Sequence, residues 1–262
     1  MRVLILQSSA RVEGNTARVV RIAEADLRAE AGRAGIALET ETLNLAQIDI
    51  RPCKGCRNCF DHGESTCPLD DELLSVKEKM KAADGLLLAG PVYVNDVNGI
   101  MKNWIDRLAH VCHRPEFAGK TAMLLATTGS TPARHALRTM QVALWTWGYR
   151  IAGQVWFATG ATMLVGEMQK RHAELIRRAA RKLVEDIRDR RAATPSFLSL
   201  LVFRIQQVGW RKAAPGSIDF AYWNERGWLD ARRCSYFFPH GANPFKVAAA
   251  RLVGSIAAAV AT

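Results

Sequence analysis

Met1-Arg-Val-Leu-Ile-Leu-Gln7 and the loop after it, Ser8-Ser-Ala-Arg-Val-Glu-Gly14-Asn15-Thr16, decide the fold. Residues 2–7 place Val, Leu and Ile on both faces of a strand, and a strand apolar on both faces is buried on both. From Thr16 onward, Val19, Ala23, Leu27 and Ala31 recur at helical spacing. A buried strand that feeds a helix through a short polar turn opens an α/β sheet. Amides at the helix start, the Ser and Thr hydroxyls and Arg11 together make a site for one phosphate. The turn has neither G-x-G-x-x-G nor Gly-Lys-Ser/Thr, so a monophosphate suits it better than a dinucleotide. The plainer alternative is an ordinary capped strand–helix turn.

Working outward, the same alternation repeats. Gly35 ends the first helix, and residues 36–45 form a second strand whose polar alternation suits a sheet edge. Asp70 is the expected N-cap of a helix carrying Leu73, Leu74 and Met80. Strands are predicted over 85–90, 121–127 and 151–158, with helices over 100–111, 133–147 and about 166–191. Five strands alternating with helices mean a doubly wound five-stranded parallel sheet, not a barrel. Two loops on the carboxyl rim join the first: Gly90-Pro91-Val92-Tyr93-Val94-Asn95-Asp96 and Thr127-Thr128-Gly129-Ser130. Tyr93 would flank a flat ring at the switch point between strands one and three, or else pack beneath its loop.

Between the second strand and its helix, residues 46–69 carry Cys53-Lys-Gly-Cys56-Arg-Asn-Cys59, closed by Cys67 and Pro68. Two intervening residues let adjacent thiolates converge from a tight turn, with Gly55 relieving crowding. Ferredoxin-type clusters are held by such compact runs, often with proline after the last cysteine. A zinc site more often uses two separated Cys-x2-Cys knuckles, a redox disulfide needs two thiols alone, and unligated thiols pack as small hydrophobes. Cys112 and Cys234 stand alone and read as buried. His110 and His113 lie at a helix end without a carboxylate at ligand spacing, His62 reads as surface decoration, and Asp106-Arg107 reads as a structural pair.

At 262 residues, 49% hydrophobic and 23% charged, the chain can build a sizeable core without disulfide staples. Thiols clustered in a chain with no leader-like start point to a reducing cytoplasm, and no uncharged apolar run reaches the roughly 18–20 residues of a membrane span. The net charge is +11, with nine Lys/Arg against five Asp/Glu over 167–191 and eight against three over 195–262. That excess suits phosphate-bearing cofactors, acidic redox partners or an anionic surface, although a solvated helix face accounts for 167–191. No nucleic-acid motif accompanies it.

Ser9-Ala-Arg11-Val-Glu-Gly14-Asn15-Thr16, Gly90-Pro91-Val92-Tyr93 and Lys102-Asn-Trp-Ile-Asp106-Arg107-Leu108 resemble the NAD(P)H-dependent FMN reductases of the flavodoxin-like superfamily. With the four cysteines added, the chain resembles the iron–sulfur flavoproteins within that group, over about residues 1–165. Ser8 and Ala10 stand where the pattern usually has Gly and Pro. The resemblance implies a flavodoxin-like fold and FMN, its phosphate at Ser9, Arg11, Gly14, Asn15 and Thr16. It puts the ring near Pro91, Val92, Tyr93, Val94 and Asn95, and the other edge near Thr128, Gly129 and Ser130. It further implies a [4Fe–4S] cluster on Cys53, Cys56, Cys59 and Cys67, with NAD(P)H as a transient co-substrate.

The expected activity is therefore hydride acceptance by flavin from NAD(P)H and delivery of electrons to an acceptor. Two alternatives remain: an electron carrier fed by an acidic redox protein such as ferredoxin, and a zinc or thiol binding protein on the same fold. No residue is assigned as a catalytic acid, base or nucleophile. The expected assembly is a homodimer or homotetramer.

The domain reading is 1–194 for the sheet domain and 195–262 for a mainly helical extension, with Ala192-Ala-Thr-Pro195 as the boundary. Helical spacing is expected over 197–210 and 245–260, with aromatics concentrated between them. The extension is expected to cover the core or build a subunit interface; a lid over the flavin and a membrane-surface contact are the sharper alternatives.

Overall fold

The computed structural model describes residues 1–130, 132–160, 165–189, 194–232 and 234–260. Part of the expected boundary, residues 192 and 193, and the expected helix end at Arg191 lie outside them. Two compact units emerge: Met1–Lys54, Leu69–Ala109 and Lys120–Arg191 form the first, and Gly55–Pro68, His110–Gly119 and Ala192–Thr262 the second.

The first unit is built on β1 (Arg2–Gln7), β2 (Glu39–Asn44), β3 (Gly85–Tyr93), β4 (Thr121–Thr128) and β5 (Arg150–Ala158). Their order is β2-β1-β3-β4-β5 and all neighbours run parallel, which is the flavodoxin-like arrangement. β1 and β4 are apolar and buried along nearly their whole length because helices cover both faces. β2 sits at the edge, as its polar alternation requires.

Side chains separate by the period of two. Val3, Ile5, Leu87, Ala89, Met123 and Leu125 share one cluster with Val19, Ala23 and Leu27 of α1 (Asn15–Arg33) and Ile176, Ala180 and Leu183 of α5 (Val165–Arg188). The alternate positions Leu4, Leu6, Leu86, Leu88 and Leu124 are just as buried and belong to the opposite face. Each such Leu or Ile contributes about 1.5–3 kcal/mol on removal from water. Trp104 of α3 (Gly99–Arg107) and Trp147, just past α4 (Arg134–Thr146), meet edge to face at 5.2 Å and are fully buried.

Two local expectations change. The first turn of α2 (Leu73–Ala82) is held by Asp71, whose Oδ1 accepts from the Leu73 amide, and not by Asp70. Arg107 does not pair with Asp106. Its guanidinium reaches Asp71 Oδ2 at 2.5 Å, whereas Asp106 accepts from Lys102 one helical turn away. A carboxylate adjacent in sequence points off another side of the helix, so the buried arginine takes its partner from across the loop.

The second unit holds α6 (Phe197–Lys212), α7 (Ile218–Glu225) and α8 (Pro244–Val260), the C-terminal helical extension. Its aromatics pack on each other: Phe203, Trp223, Trp228 and Leu229 form the core, with Tyr236 and Phe237 against it. Gln207, 1% exposed, donates to the carbonyls of Trp228 and Cys234, so its buried amide is satisfied. Among the described residues no helix is long and apolar enough to cross a membrane.

Candidate functional site

Parallel strands bring the loops after β1, β3 and β4 to one rim, and β1 lies between β2 and β3, at the topological switch point. Two asparagines fasten the first loop from both sides. Asn44, ending β2, donates to the Ser9 carbonyl at 3.0 Å, and Asn98, before α3, donates to the Ser8 carbonyl at 2.6 Å. Asn98 works twice, since its Oδ1 also accepts from the Met101 amide and caps α3.

Inside the loop, the Ser9 hydroxyl donates to the Arg11 carbonyl at 3.0 Å and accepts from the Arg11 amide at 3.3 Å. Gly14 precedes α1 without a side-chain cap, and no acidic residue stands in the first turn. The amides of Asn15, Thr16 and Ala17 precede the first intrahelical acceptor, so they favour an anion. A Cβ on Gly14 would come within 3.0 Å of the Arg11 Cβ and 3.1 Å of its carbonyl oxygen. The cradle therefore needs glycine there. Arg11 is exposed beside it, and Ser9 and Thr16 are buried.

The Thr16 hydroxyl meets that of Thr127 at 2.7 Å, tying the first loop to the end of β4. Asn15 likewise donates to the Thr159 hydroxyl at 2.8 Å and the Gly160 carbonyl at 3.0 Å. Thr159 donates in turn to the Thr128 carbonyl, at 3.2 Å from its hydroxyl and 2.9 Å from its amide. Thr128 is buried; Gly129 and Ser130 are exposed, with open space where a Gly129 Cβ would lie.

The loop 91–95 is more ordered than a plain loop. β3 runs on through Pro91 to Tyr93 and returns antiparallel, pairing Val92 with Val97 and Tyr93 with Asp96. The two central residues, Val94 and Asn95, both have positive φ, 49° and 67°, as a two-residue hairpin turn demands. Valine is poorly suited to this region because its branched Cβ crowds the backbone. Val94 is also fully exposed, so nothing in its packing offsets the strain. Val94→Asn is accordingly expected to raise stability by about 1 kcal/mol in urea unfolding; unchanged or lower stability would remove the case for strain. Pro91 and Val92 are half-buried, while Tyr93 and Asn95 are exposed along the rim.

The cysteine loop is pinned at its base. The side chains of Asp71 and Arg107 are 1% and 3% exposed, and Arg107 also donates to the Arg51 carbonyl at 2.6 Å. The Arg51 amide donates to Asp71 at 3.0 Å, and Asn103 donates to the Ile50 carbonyl at 2.8 Å. Burial alone would raise the Asp71 carboxyl, but Arg107 and the amides of Arg51 and Leu73 hold it below the usual carboxylate range. Gly55 and Arg57 adopt the left-handed region, φ 66° each, and curl the chain into the turn Asn58–Asp61. Cys53 and Cys56 are exposed, Cys59 and Cys67 half-buried, and none forms a disulfide. Cys112 and Cys234 are half-buried, and burial pushes both thiols up, away from the thiolate a metal needs.

The structure thus gathers Ser9, Arg11, Gly14, Asn15 and Thr16 with Thr128 through hydrogen bonds, and it adds Asn44, Asn98, Thr127, Thr159 and Gly160. Thr159-Gly160 after β5 repeats the Thr128-Gly129 pattern after β4, a signal readable in the chain. Asn98 before Gly99 reads as a helix cap, but its second bond to Ser8 spans 90 residues.

A family model described as NADPH-dependent FMN reductase matches residues 1–162. An iron–sulfur flavoprotein of Methanocaldococcus jannaschii is 39% identical over 107 residues, which is 41% of this chain and 51% of that protein, so the match spans about half its length. An iron–sulfur flavoprotein of Archaeoglobus fulgidus is 25% identical over 235 residues, 87% of this chain and 100% of that protein. Among solved structures, RosB with a bound 8-demethyl-8-formylriboflavin-5'-phosphate intermediate superposes with a TM-score of 0.58 at 20% identity, covering 72% of this chain and 79% of that one; this likeness speaks to the fold.

Proposed function

The chain belongs to the NADPH-dependent FMN reductase family, and from that premise we propose that it is an FMN-dependent NAD(P)H oxidoreductase with a [4Fe–4S] cluster as a second redox station. The observation that carries the flavin reading is the joining of polar loops over the carboxyl ends of β1, β4 and β5, with the β3 hairpin on the same rim.

Ser9, Arg11 and the amides of Gly14, Asn15 and Thr16 would hold the FMN phosphate, in a cradle a Cβ at residue 14 would fill. Pro91 to Asn95 would flank the ring, and the small residues Thr128, Gly129 and Ser130 would allow close approach at its other edge. Bound flavin supplies the hydride and single-electron chemistry. The chain supplies position: Asn44 and Asn98 fix the phosphate loop, and Thr16 and Asn15 lock it to the β4 and β5 ends. No side chain need move a proton. Without a second nucleotide fingerprint in the sequence, the nicotinamide would stack transiently rather than occupy its own fold.

For the cluster, the donor set is the support. Four thiols in Cys-x2-Cys-x2-Cys-x7-Cys followed by Pro68 match the compact runs that hold iron–sulfur centres, and the relatives carry iron–sulfur flavoprotein as their name. Cys53, Cys56, Cys59 and Cys67 would be the ligands.

Anaerobically isolated protein is expected to show flavin absorption that NADPH or NADH bleaches, together with iron and sulfide. Cys56→Ser is expected to abolish iron binding and leave FMN at one per chain. A protein that retains no flavin sinks the reading, and stoichiometric iron in Cys56→Ser refutes the ligand set. Bleaching by reduced ferredoxin but not by nicotinamide would transfer the case to the electron-carrier reading.

A further inference from the structure

We propose that Glu64, His110 and Glu116 form a site for one divalent first-row cation, separate from the four-cysteine run. The sequence puts no carboxylate at ligand spacing from His110; the fold does so from two directions. One ligand atom from each of the three residues lies within 4.8 Å of the other two, and among the described residues this is the one group of three or more such side chains. His110 is 1% exposed, with Nε2 3.9 Å from Glu64 Oε2. Glu64 is 29% exposed and Glu116 half-buried, so an ion has a way in. All three residues belong to the second unit.

One imidazole and two carboxylates are a mixed nitrogen and oxygen donor set, suited to Mn(II), Fe(II) or Zn(II) and distinct from a thiolate set. Arg114, 2% exposed, stands 3.7 Å from Glu64, but Asp219 takes up its guanidinium directly and the Cys59 carbonyl accepts from it at 2.5 Å.

A second observation comes from Tyr222, whose hydroxyl is buried without a hydrogen-bond partner. Burial raises it above the ordinary tyrosine range; Glu116 and Glu64 add to that, while Arg226 and Arg114 oppose it. A neutral hydroxyl in the field of those two carboxylates is a ready donor or acceptor for a metal-bound water. Glu64 lies between Cys59 and Cys67, so an ion held there would cross-link the cysteine segment to residues 110–116 without using a cysteine.

The probe is Mn(II), which favours oxygen and nitrogen over thiolate, titrated into the anaerobic full chain with its cofactors, free ion being read by its spin-resonance signal. One Mn(II) per chain is expected, and Cys56→Ser should bind it equally. Glu116→Gln, at a half-exposed position and checked for an unchanged melting curve, should weaken binding by at least roughly tenfold. Mn(II) should also slow hydrogen exchange at the Thr66 and Cys67 amides in the parent and not in Glu116→Gln. Equal Mn(II) binding by parent and Glu116→Gln, or no binding by the parent below about 1 mM, overturns the proposal.

Discussion

Asp71→Asn is expected to cost about 3–5 kcal/mol of folding stability and to lower the melting temperature by roughly 10 °C. The substitution keeps the shape of the side chain but leaves the Arg107 guanidinium, 3% exposed, without its countercharge. It also weakens the acceptor for two backbone amides, those of Arg51 and Leu73. Breaking one side of a buried pair is far worse than replacing both. The double change Asp71→Leu with Arg107→Met should therefore be milder than Asp71→Asn alone. Asp106→Ala serves as the exposed control and should shift stability by no more than about 0.5 kcal/mol.

The pH dependence has a definite sign. The Asp71 carboxyl is held below its unfolded value, near 3.9. Its contribution is therefore complete above that value and is lost as pH falls through the lower, folded one. Urea unfolding at pH 7 and pH 3 should show Asp71→Asn closing on the parent in acid. A gap of equal size at both pH values would show that the ionised carboxylate is not what stabilises the loop base.

Arg11→Glu is expected to weaken FMN binding by about 100-fold while leaving riboflavin binding unchanged. The FMN phosphate carries about −1.5 to −2 charges, and the reversal turns an attractive neighbour into a repulsive one in a loop already short of donors other than amides. Arg11 is exposed, and its amide and carbonyl make the loop's internal bonds whichever side chain is present. The effect should shrink as salt rises, since the Debye length is only about 8 Å at physiological ionic strength. Equal losses for FMN and riboflavin in a flavin-quenching titration would move Arg11 out of the phosphate site.

How much of this was readable in the chain depends on the range of the interaction. β1 and β4 announce themselves because a strand covered on both faces is apolar throughout. The β2 alternation correctly marks an edge, although its length is set by its six-residue partner β1 and comes out shorter than the pattern, Glu39–Asn44. The strand expected over 85–90 runs on to Tyr93, and its ladder continues through Pro91, which pairs with Thr127. The helix expected over 100–111 ends at Arg107 and gives way to a tighter turn over Ala109–Cys112. The polar composition of the loop after β1 is legible in the chain, but its fastening is not. The bonds from Asn98 to Ser8, Asn15 to Thr159 and Arg107 to Asp71 link residues 90, 144 and 36 apart, and nothing local records such partners.

The second unit is assembled from three stretches widely separated along the chain, Gly55–Pro68, His110–Gly119 and Ala192–Thr262. In time, during synthesis, this means that the cysteine segment leaves the ribosome long before the helices that share its compact unit. At about 5–20 residues per second the wait lasts several seconds or more. Through that interval Arg114 has yet to meet Asp219, and the aromatic core has yet to close. The four thiols thus spend their first seconds without the helices that later share their compact unit.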